Sequence, residues 1–326
     1  MKSEILKMLR EDDGYVSGQQ LCEKFGVSRT AIWKAINQLK EEGYQVEAVR
    51  NRGYHVVSSP DVVTEEELIS VLDTVWAGQQ VFFFEKTDST NIQAKQLGEK
   101  GMPHGTLVTA NQQDKGRGRR GRFWESPAGS SIYMSILLRP EIPPDKAPML
   151  TLVMALSTAE GLKECTGLDV QIKWPNDIVL NGKKLVGILT EMSTEIDYIN
   201  HVVIGVGINV NIQTFPEELN EKATSIYIET GHKIKRSKII AVIMKYFEKN
   251  YALFMQAQNL ENLKDKYNSL LVNREKEVRI LGAKEQFTAI ALGINRHGEL
   301  LVRRENGQEE AVFAGEVSVR GVYGYV

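Results

Sequence analysis

Five cationic side chains crowd into the eight residues Lys115–Arg122, with Gly116, Gly118 and Gly121 between them. Arginine donates two parallel hydrogen bonds from a rigid fork, so such a stretch suits phosphate and carboxylate oxygens. Left unneutralised it repels itself, and it is expected to order only around anions. The three glycines also satisfy the GxGxxG spacing of dinucleotide-binding turns. That reading requires a helix immediately afterwards, whose N-terminus holds the pyrophosphate. Phe123-Trp124-Glu125-Ser126-Pro127 cannot open that helix, and no GxxxxGK[ST] P-loop occurs in the chain. A loop between two strands that orders around a nucleotide phosphate and a carboxylate is the sharper expectation. A nucleic-acid patch or an RG-rich tail is the blander one.

The elements that must carry this loop follow from periodicity. Ile5, Leu6, Met8 and Leu9 form one helical face before a break at Glu11–Gly14. Ser17 with Gln20 three residues on predicts a capped second helix, which Gly26 ends. Ser28 predicts the cap of a third helix that buries Ile32, Ala35, Ile36 and Leu39 and stops at Gly43. Two short strands, Tyr44–Val49 and Gly53–Val57, complete a winged helix-turn-helix over residues 1–60. Ser58-Ser59-Pro60-Asp61 reads as a linker.

Beyond it, strands and helices mix through residues 64–270, with several strands joined as hairpins; Asn181-Gly182 is a type I′ turn signal. The expectation is an α+β domain with a largely antiparallel sheet. Five short strands between Glu277 and Arg320, the last of them Glu316–Arg320, predict a small β-barrel over residues 274–326.

Arg29, Thr30, Trp33, Lys34 and Asn37 lie on the third helix away from its apolar face, where a recognition helix meets base edges and phosphates. Arg50 and Arg52, at the hairpin tip, can reach phosphates or an adjacent minor groove. Residues 1–60 nevertheless hold nine Lys+Arg against eight Asp+Glu. One such domain should bind DNA weakly, and a dimer reading two half-sites would make up the shortfall.

The whole chain, 326 residues with a net charge of −2, has no general basic coat. Cys22 and Cys165, far apart and without CxxC, exclude a disulfide framework and a cysteine zinc site. The five histidines show no HExxH spacing. No stretch reads as a membrane span or a targeting segment, so the expected compartment is the cytoplasm.

Asp88-Ser89-Thr90-Asn91, Gly116–Arg122 followed by Trp124, Lys173-Trp174-Pro175-Asn176-Asp177, Lys184–Leu189 and Gly205–Asn211 occur in that order. Together these motifs closely resemble the bacterial biotin protein ligases, in the bifunctional form that also represses the biotin operon. The resemblance covers essentially the whole chain. It implies a winged helix-turn-helix, a mixed-sheet ligase-type catalytic domain like that of class II aminoacyl-tRNA synthetases, and a C-terminal SH3-like β-barrel. It implies activation of biotin by MgATP to biotinyl-adenylate, with no tightly bound prosthetic group, and transfer to one lysine of a biotin carboxyl carrier protein. Operator DNA and a second copy of the chain are the other implied partners, with the dimer promoted by the adenylate.

Carried over by position, the resemblance sets biotin contacts at Ser89, Thr90, Asn91 and Gln113. Arg117, Gly118 and Arg119 fall nearest the biotin carboxylate and α-phosphate, and Lys184 meets both. Arg120, Arg122, Trp124 and Asn209 belong to the nucleotide side. Adenylation is in-line attack of a carboxylate on phosphorus, so it needs positioning and cations more than a protein nucleophile. Arg119, Lys184 and Lys173 supply that charge. Asn176 and Asp177 are candidates for Mg²⁺, directly or through water, and Asp177 is the candidate to assist deprotonation of the acceptor lysine.

Duller readings stand beside these. Ser89-Thr90-Asn91 is also a helix cap, Trp174 and Pro175 read as packing and turn residues, and Asp177 could cap a turn. Two rival functions remain: a lipoate–protein ligase, and a non-catalytic nucleotide-sensing transcription regulator.

Overall fold

The protein is described here from a computed structural model. The structure describes residues 1–11, 14–195, 198–282, 285–314 and 317–321. The middle of the Glu11–Gly14 break, and Glu316 at the start of the last expected strand, lie outside them.

Helices α1 (Lys2–Glu11), α2 (Gly18–Phe25) and α3 (Arg29–Glu41) and strands β1 (Gln45–Val49) and β2 (Gly53–Ser58) form the winged helix. The Ser17–Gln20 capping box is fully made, Gly26 ends α2 in the left-handed region, and the Ser28 side chain caps α3. Ile5, Leu6, Leu9, Leu21, Ile32 and Leu39 are almost fully enclosed in a core of their own.

The stretch read as a linker is pinned instead of free. Asp61 accepts hydrogen bonds from the backbone and guanidinium of Arg236, and Ser59 from Lys235. After it come α4 (Glu65–Val71), capped by the Thr64 side chain, β3 (Val81–Thr87), α5 (Thr90–Glu99), β4 (Leu107–Gln113), β5 (Ser131–Leu138) and α6 (Met149–Thr166). Then follow β6 (Gln171–Lys173), β7 (Asp177–Leu180), β8 (Lys183–Thr194), β9 (Ile199–Asn209), α7 (Ile226–Thr230), α8 (Arg236–Ala257) and α9 (Lys264–Leu270). Helices α7 and α9, not expected from periodicity, are only five and seven residues long.

Seven strands form one sheet in the order β3-β4-β5-β9-β8-β7-β6. Only β3 and β4 are parallel; every other pair runs antiparallel, and Asn181 and Gly182 take the positive φ that a tight hairpin needs. Helix α6 is buried on nearly every side, against the sheet and α8, and anchors the main core.

At the C-terminal end, β10 (Glu277–Gly282), β11 (Gln286–Ile294), β12 (Leu300–Arg303), β13 (Glu309–Val312) and β14 (Val317–Gly321) form an antiparallel sheet ordered β13-β12-β11-β10-β14. This is the small C-terminal β-domain that the sequence predicts; among the described residues its edge strands β13 and β14 are not paired with each other. Trp174, buried as expected of a packing residue, donates its indole N–H to Gly298 and ties this sheet to the catalytic domain. Among the described residues no helix is long and apolar enough to cross a membrane.

Candidate active site

One cavity of about 800 Å³ gathers all fifteen residues that the sequence singles out for substrate, metal or catalysis. They come from the turn into α5, the end of β4, the arginine–glycine loop, the β6–β7 turn, and strands β7, β8 and β9.

One wall is polar and rigid. Ser89 begins α5, but its hydroxyl makes no capping bond, which leaves that oxygen beside the cavity. Burial would raise the Asp88 carboxyl; hydrogen bonds from the Ser89 N–H, Gln93 and Thr87 outweigh it and hold the group below its ordinary value. Gln113 Oε1 accepts from the Thr90 N–H at 2.8 Å and from its hydroxyl at 3.2 Å, while Gln113 Nε2 donates to Ser126. Ser135, fully buried, bridges Thr90 Oγ1 and Asn91 Oδ1 at 2.8 and 2.7 Å. Asn91 also donates to Glu191 and to the Leu189 carbonyl. Asn91, Thr90 and Gln113 thus brace one another and the wall, while the Ser89 hydroxyl makes no capping bond.

The floor lacks side chains. Gly187 of β8 and Gly207 of β9 are cross-strand partners, and the Trp124 indole lies directly over both. A Cβ would meet that ring at 2.9 Å from Gly187 and 2.7 Å from Gly207, so only glycine lets the indole lie flat on these strands. Trp124 Nε1 is buried there with no hydrogen-bond partner among the described residues. Its backbone N–H bonds to the Gly116 carbonyl, which closes the arginine–glycine loop on itself.

The cations are organised by carboxylates and carbonyls. Lys184 Nζ lies 2.7 Å from Asp177 Oδ1 and 5.4 Å from the Trp124 ring centroid. Arg119 donates to Asn176 Oδ1 at 2.9 Å and to the Ala314 carbonyl of the C-terminal sheet at 2.6 Å. Burial pushes its guanidinium below the ordinary arginine value; Arg120 and Arg122 press the same way and Asp177 opposes. Lys173 is buried against the cavity, whereas Arg117, Arg120 and Arg122 are exposed at its mouth.

Asn176 and Asp177 do not fit a magnesium site of their own. The Asn176 oxygen is taken by Arg119, its amide donates to the Ile188 carbonyl, and Asp177 faces Lys184. Among the described residues no group of three or more His, Cys, Asp or Glu could hold a metal.

Sequence reasoning missed one wall. Ile212, Thr214, Phe215, Pro216 and Leu219 line the cavity from the segment between β9 and α7. Phe215-Pro216 in a polar loop was the available signal. This segment also fixes Lys184, whose N–H donates to the Lys222 carbonyl and whose carbonyl accepts from the Thr224 N–H. Asn209 Nδ2 holds the Thr224 carbonyl at 3.0 Å. The C-terminal sheet, for which the sequence suggested no definite role, contributes Val319 to the lining.

Residues 83–209 match the biotin/lipoate A/B protein ligase family, residues 2–55 an HTH domain, and residues 275–320 the biotin protein ligase C terminal domain. The bifunctional ligase/repressor BirA of Bacillus subtilis is 42% identical over 90% of this chain and 90% of its own. That of Escherichia coli is 33% identical over 93% of this chain and 92% of its own. The chain belongs to the biotin protein ligases of the bifunctional ligase/repressor type. Among solved structures, biotin protein ligase from Aquifex aeolicus in complex with biotin and ATP superposes with a TM-score of 0.66 at 32% identity. That match covers 74% of this chain and 99% of the other.

In this biotin protein ligase the HTH domain exposes Arg29, Thr30, Trp33 and Lys34, with Asn37 half-buried beside them. Trp33 is 56% exposed, unusual for so large an apolar side chain. Arg29 donates to Gln19, and Arg50 is exposed on the wing. Arg52 is not simply a free tip: its guanidinium stacks 4.6 Å from the centre of the Tyr15 ring.

Proposed function

We propose that the cavity activates biotin with ATP, supplied as its magnesium complex, to biotinyl-adenylate and pyrophosphate. The biotinyl group then passes to one lysine of a biotin carboxyl carrier protein. The observation that carries this reading is the joining of two unlike halves in one cavity. A wall of fixed hydroxyls and amides beside the Trp124 ring suits a mostly apolar bicyclic ring with one polar ureido edge. The adjoining cationic half suits a carboxylate and a phosphate.

In the first half-reaction a biotin carboxylate oxygen attacks the α-phosphorus and the bond to pyrophosphate breaks. Lys184 and Arg119 stabilise charge on the nonbridging oxygens, with Arg117 and Gly118 of the loop beside them; the Gly118 N–H itself is held by the Arg122 carbonyl at 2.7 Å. Ser89, Thr90 and Gln113 hold the ureido edge, and Asn91 keeps Thr90 and Ser135 in place. Arg120, Arg122, Trp124 and Asn209 face the nucleotide. Once a phosphate draws Lys184 away, Asp177 can accept the proton of the acceptor lysine, whose nitrogen attacks the acyl carbon and displaces AMP.

The repressor activity fits the winged helix. Arg29, Thr30, Trp33, Lys34 and Asn37 are assigned to the major groove of operator DNA, and Arg50 and Arg52 to the flanking backbone. Near-neutral charge over residues 1–60 makes a dimer the binding species, and the adenylate is assigned to promote it.

Pyrophosphate release from MgATP with biotin, lipoate or no acid tests the core of this reading. Release that requires biotin supports it. Release with lipoate alone would change the substrate, and none with either acid would leave a regulator without chemistry.

A further inference from the structure

The polar wall of the cavity continues through the sheet to a carboxylate that is not part of its lining. Glu191 Oε2, on β8, accepts from Asn91 Nδ2 at 2.8 Å, and Glu191 Oε1 meets Lys95 Nζ at 3.2 Å, one turn further along α5. The Leu189 carbonyl is a second acceptor for Asn91 Nδ2, at 3.3 Å. Two acceptors on β8 therefore fix which way this amide faces: nitrogen to the strand, Oδ1 to Ser135 at 2.7 Å. Asn91 is only 3% exposed and lies so close over Gly205 that a Cβ there would collide with its amide, so it has no room to swing away.

At the other end of the wall the Gln113 amide is fixed as well. Its Oε1 receives the Thr90 N–H, and its Nε2 donates to Ser126, whose own proton goes to the Trp124 carbonyl. Between the two amide oxygens stand the hydroxyls of Ser135 and Thr90, so their two protons must serve the contacts Asn91–Ser135, Ser135–Thr90 and Thr90–Gln113. Among the described residues Asn91 Oδ1 receives a proton only from Ser135, and that contact is the shortest of the three. The Thr90 proton is then drawn into the wall, to Ser135 Oγ at 2.8 Å and Gln113 Oε1 at 3.2 Å. Thr90 Oγ1 is left as an acceptor towards the cavity that it lines.

We infer that Glu191 is a positioning residue that sets the hydrogen-bond polarity of this wall, through Asn91 and Ser135, and thereby selects a substrate ring with an N–H facing Thr90. This rests on the reading of the cavity as the biotin site. A cyclic urea offers such an N–H. A ring oxygen at that place sets acceptor against acceptor in a buried site, and neither side finds a partner. Without Glu191 only the longer Leu189 contact opposes a turn of the Asn91 amide. Ser135 can then donate to Thr90, and the Thr90 proton can point into the cavity. The wall so released takes either kind of ring.

Pyrophosphate release from MgATP, measured with biotin and with its two cyclic carbamate analogues, reads this polarity; each analogue has one ring N–H replaced by oxygen. In the wild type, KM for one of the carbamates should exceed that for biotin by about ten- to a hundredfold. In Glu191→Leu that ratio should fall to about threefold or less. In Lys95→Met, which removes the ion pair and leaves the carboxylate on Asn91, the ratio should stay at its wild-type value. A mere brace between α5 and β8 would instead be lost in both variants and raise KM for all three acids alike. Glu191→Gln offers Asn91 and Lys95 one acceptor between them and should lower the ratio by less than Glu191→Leu does; adding Lys95→Met to it should restore the ratio. That pair carries the test if Glu191→Leu does not fold. A wild type that takes both carbamates as readily as biotin, or a ratio unchanged in Glu191→Leu and Glu191→Gln, overturns the inference. Absence of biotin-dependent pyrophosphate release in the wild type overturns instead the reading of the cavity.

Discussion

The indole of Trp124 rests on the bare backbone of Gly207, so close that a single methyl would strike its Nε1 at 2.7 Å. Gly207 lies in a regular strand and has no positive φ, so alanine there is excluded by its neighbour and not by its backbone. Gly207→Ala should therefore fold and bind biotin poorly. Overpacking of about 1–3 kcal/mol corresponds to a loss of roughly ten- to a hundredfold. Titration of biotin against tryptophan fluorescence measures it; unchanged affinity would mean that Trp124 leaves this slot at no cost.

The Lys184–Asp177 pair separates the two half-reactions. Lys184→Met should slow biotin-dependent pyrophosphate release by about a hundred- to a thousandfold, the usual loss for one stabiliser of developing charge. Asp177→Asn should leave release within a few fold but slow single-turnover transfer to the carrier lysine by about a hundredfold or more. Equal loss of both steps in Asp177→Asn would make that carboxylate a holder of Lys184 and not a base.

The DNA-binding face can be removed without touching the ligase. Replacing Arg29 and Lys34 by alanine should weaken operator binding at every salt concentration and flatten its salt dependence by up to about one unit per lost phosphate contact. Transfer of biotin should stay at the wild-type rate. Electrophoretic mobility shifts over a salt series, alongside transfer assays, check both parts.

Acid stability should depend on His104. Burial, helped by the Arg139 guanidinium, holds this imidazole below its ordinary value of 6.5, and its Nδ1 accepts the Arg139 N–H at 3.0 Å. The folded protein takes up that proton less readily than the unfolded chain does. Stability from the neutral ring is then fully present above about pH 6.5 and is lost as the pH falls through the folded-state value. His201, lowered by burial and by the same arginine, adds to the effect. The Tm of the wild type should fall between about pH 7 and pH 5, and less steeply in His104→Gln.

Local signals in the sequence translated well wherever one residue decides one bond. Ser17 with Gln20, Ser28 and Asn181-Gly182 each fix a cap or a turn through neighbours in the chain, and β5 spans Ser131–Leu138 as its apolar run predicts. The candidate site residues stand in motifs, and the chain folds all fifteen around one cavity. What stayed hidden depends on contacts distant in sequence. Glu67 reads as one of three acidic residues on a solvent face, yet it is buried, because Arg10, Tyr44 and Ser237 converge on it. Asn176 looked like a metal ligand until Arg119 filled its oxygen. The 212–223 wall has no periodicity to betray it, since its apolar residues pack only against the cavity.

The hydrogen bond from Arg119 to the Ala314 carbonyl joins residues 195 positions apart. A ribosome that has finished the seven-stranded sheet has still to make the carbonyl, two residues past β13, that holds this loop. Until then the nascent chain carries its arginine–glycine loop without that anchor.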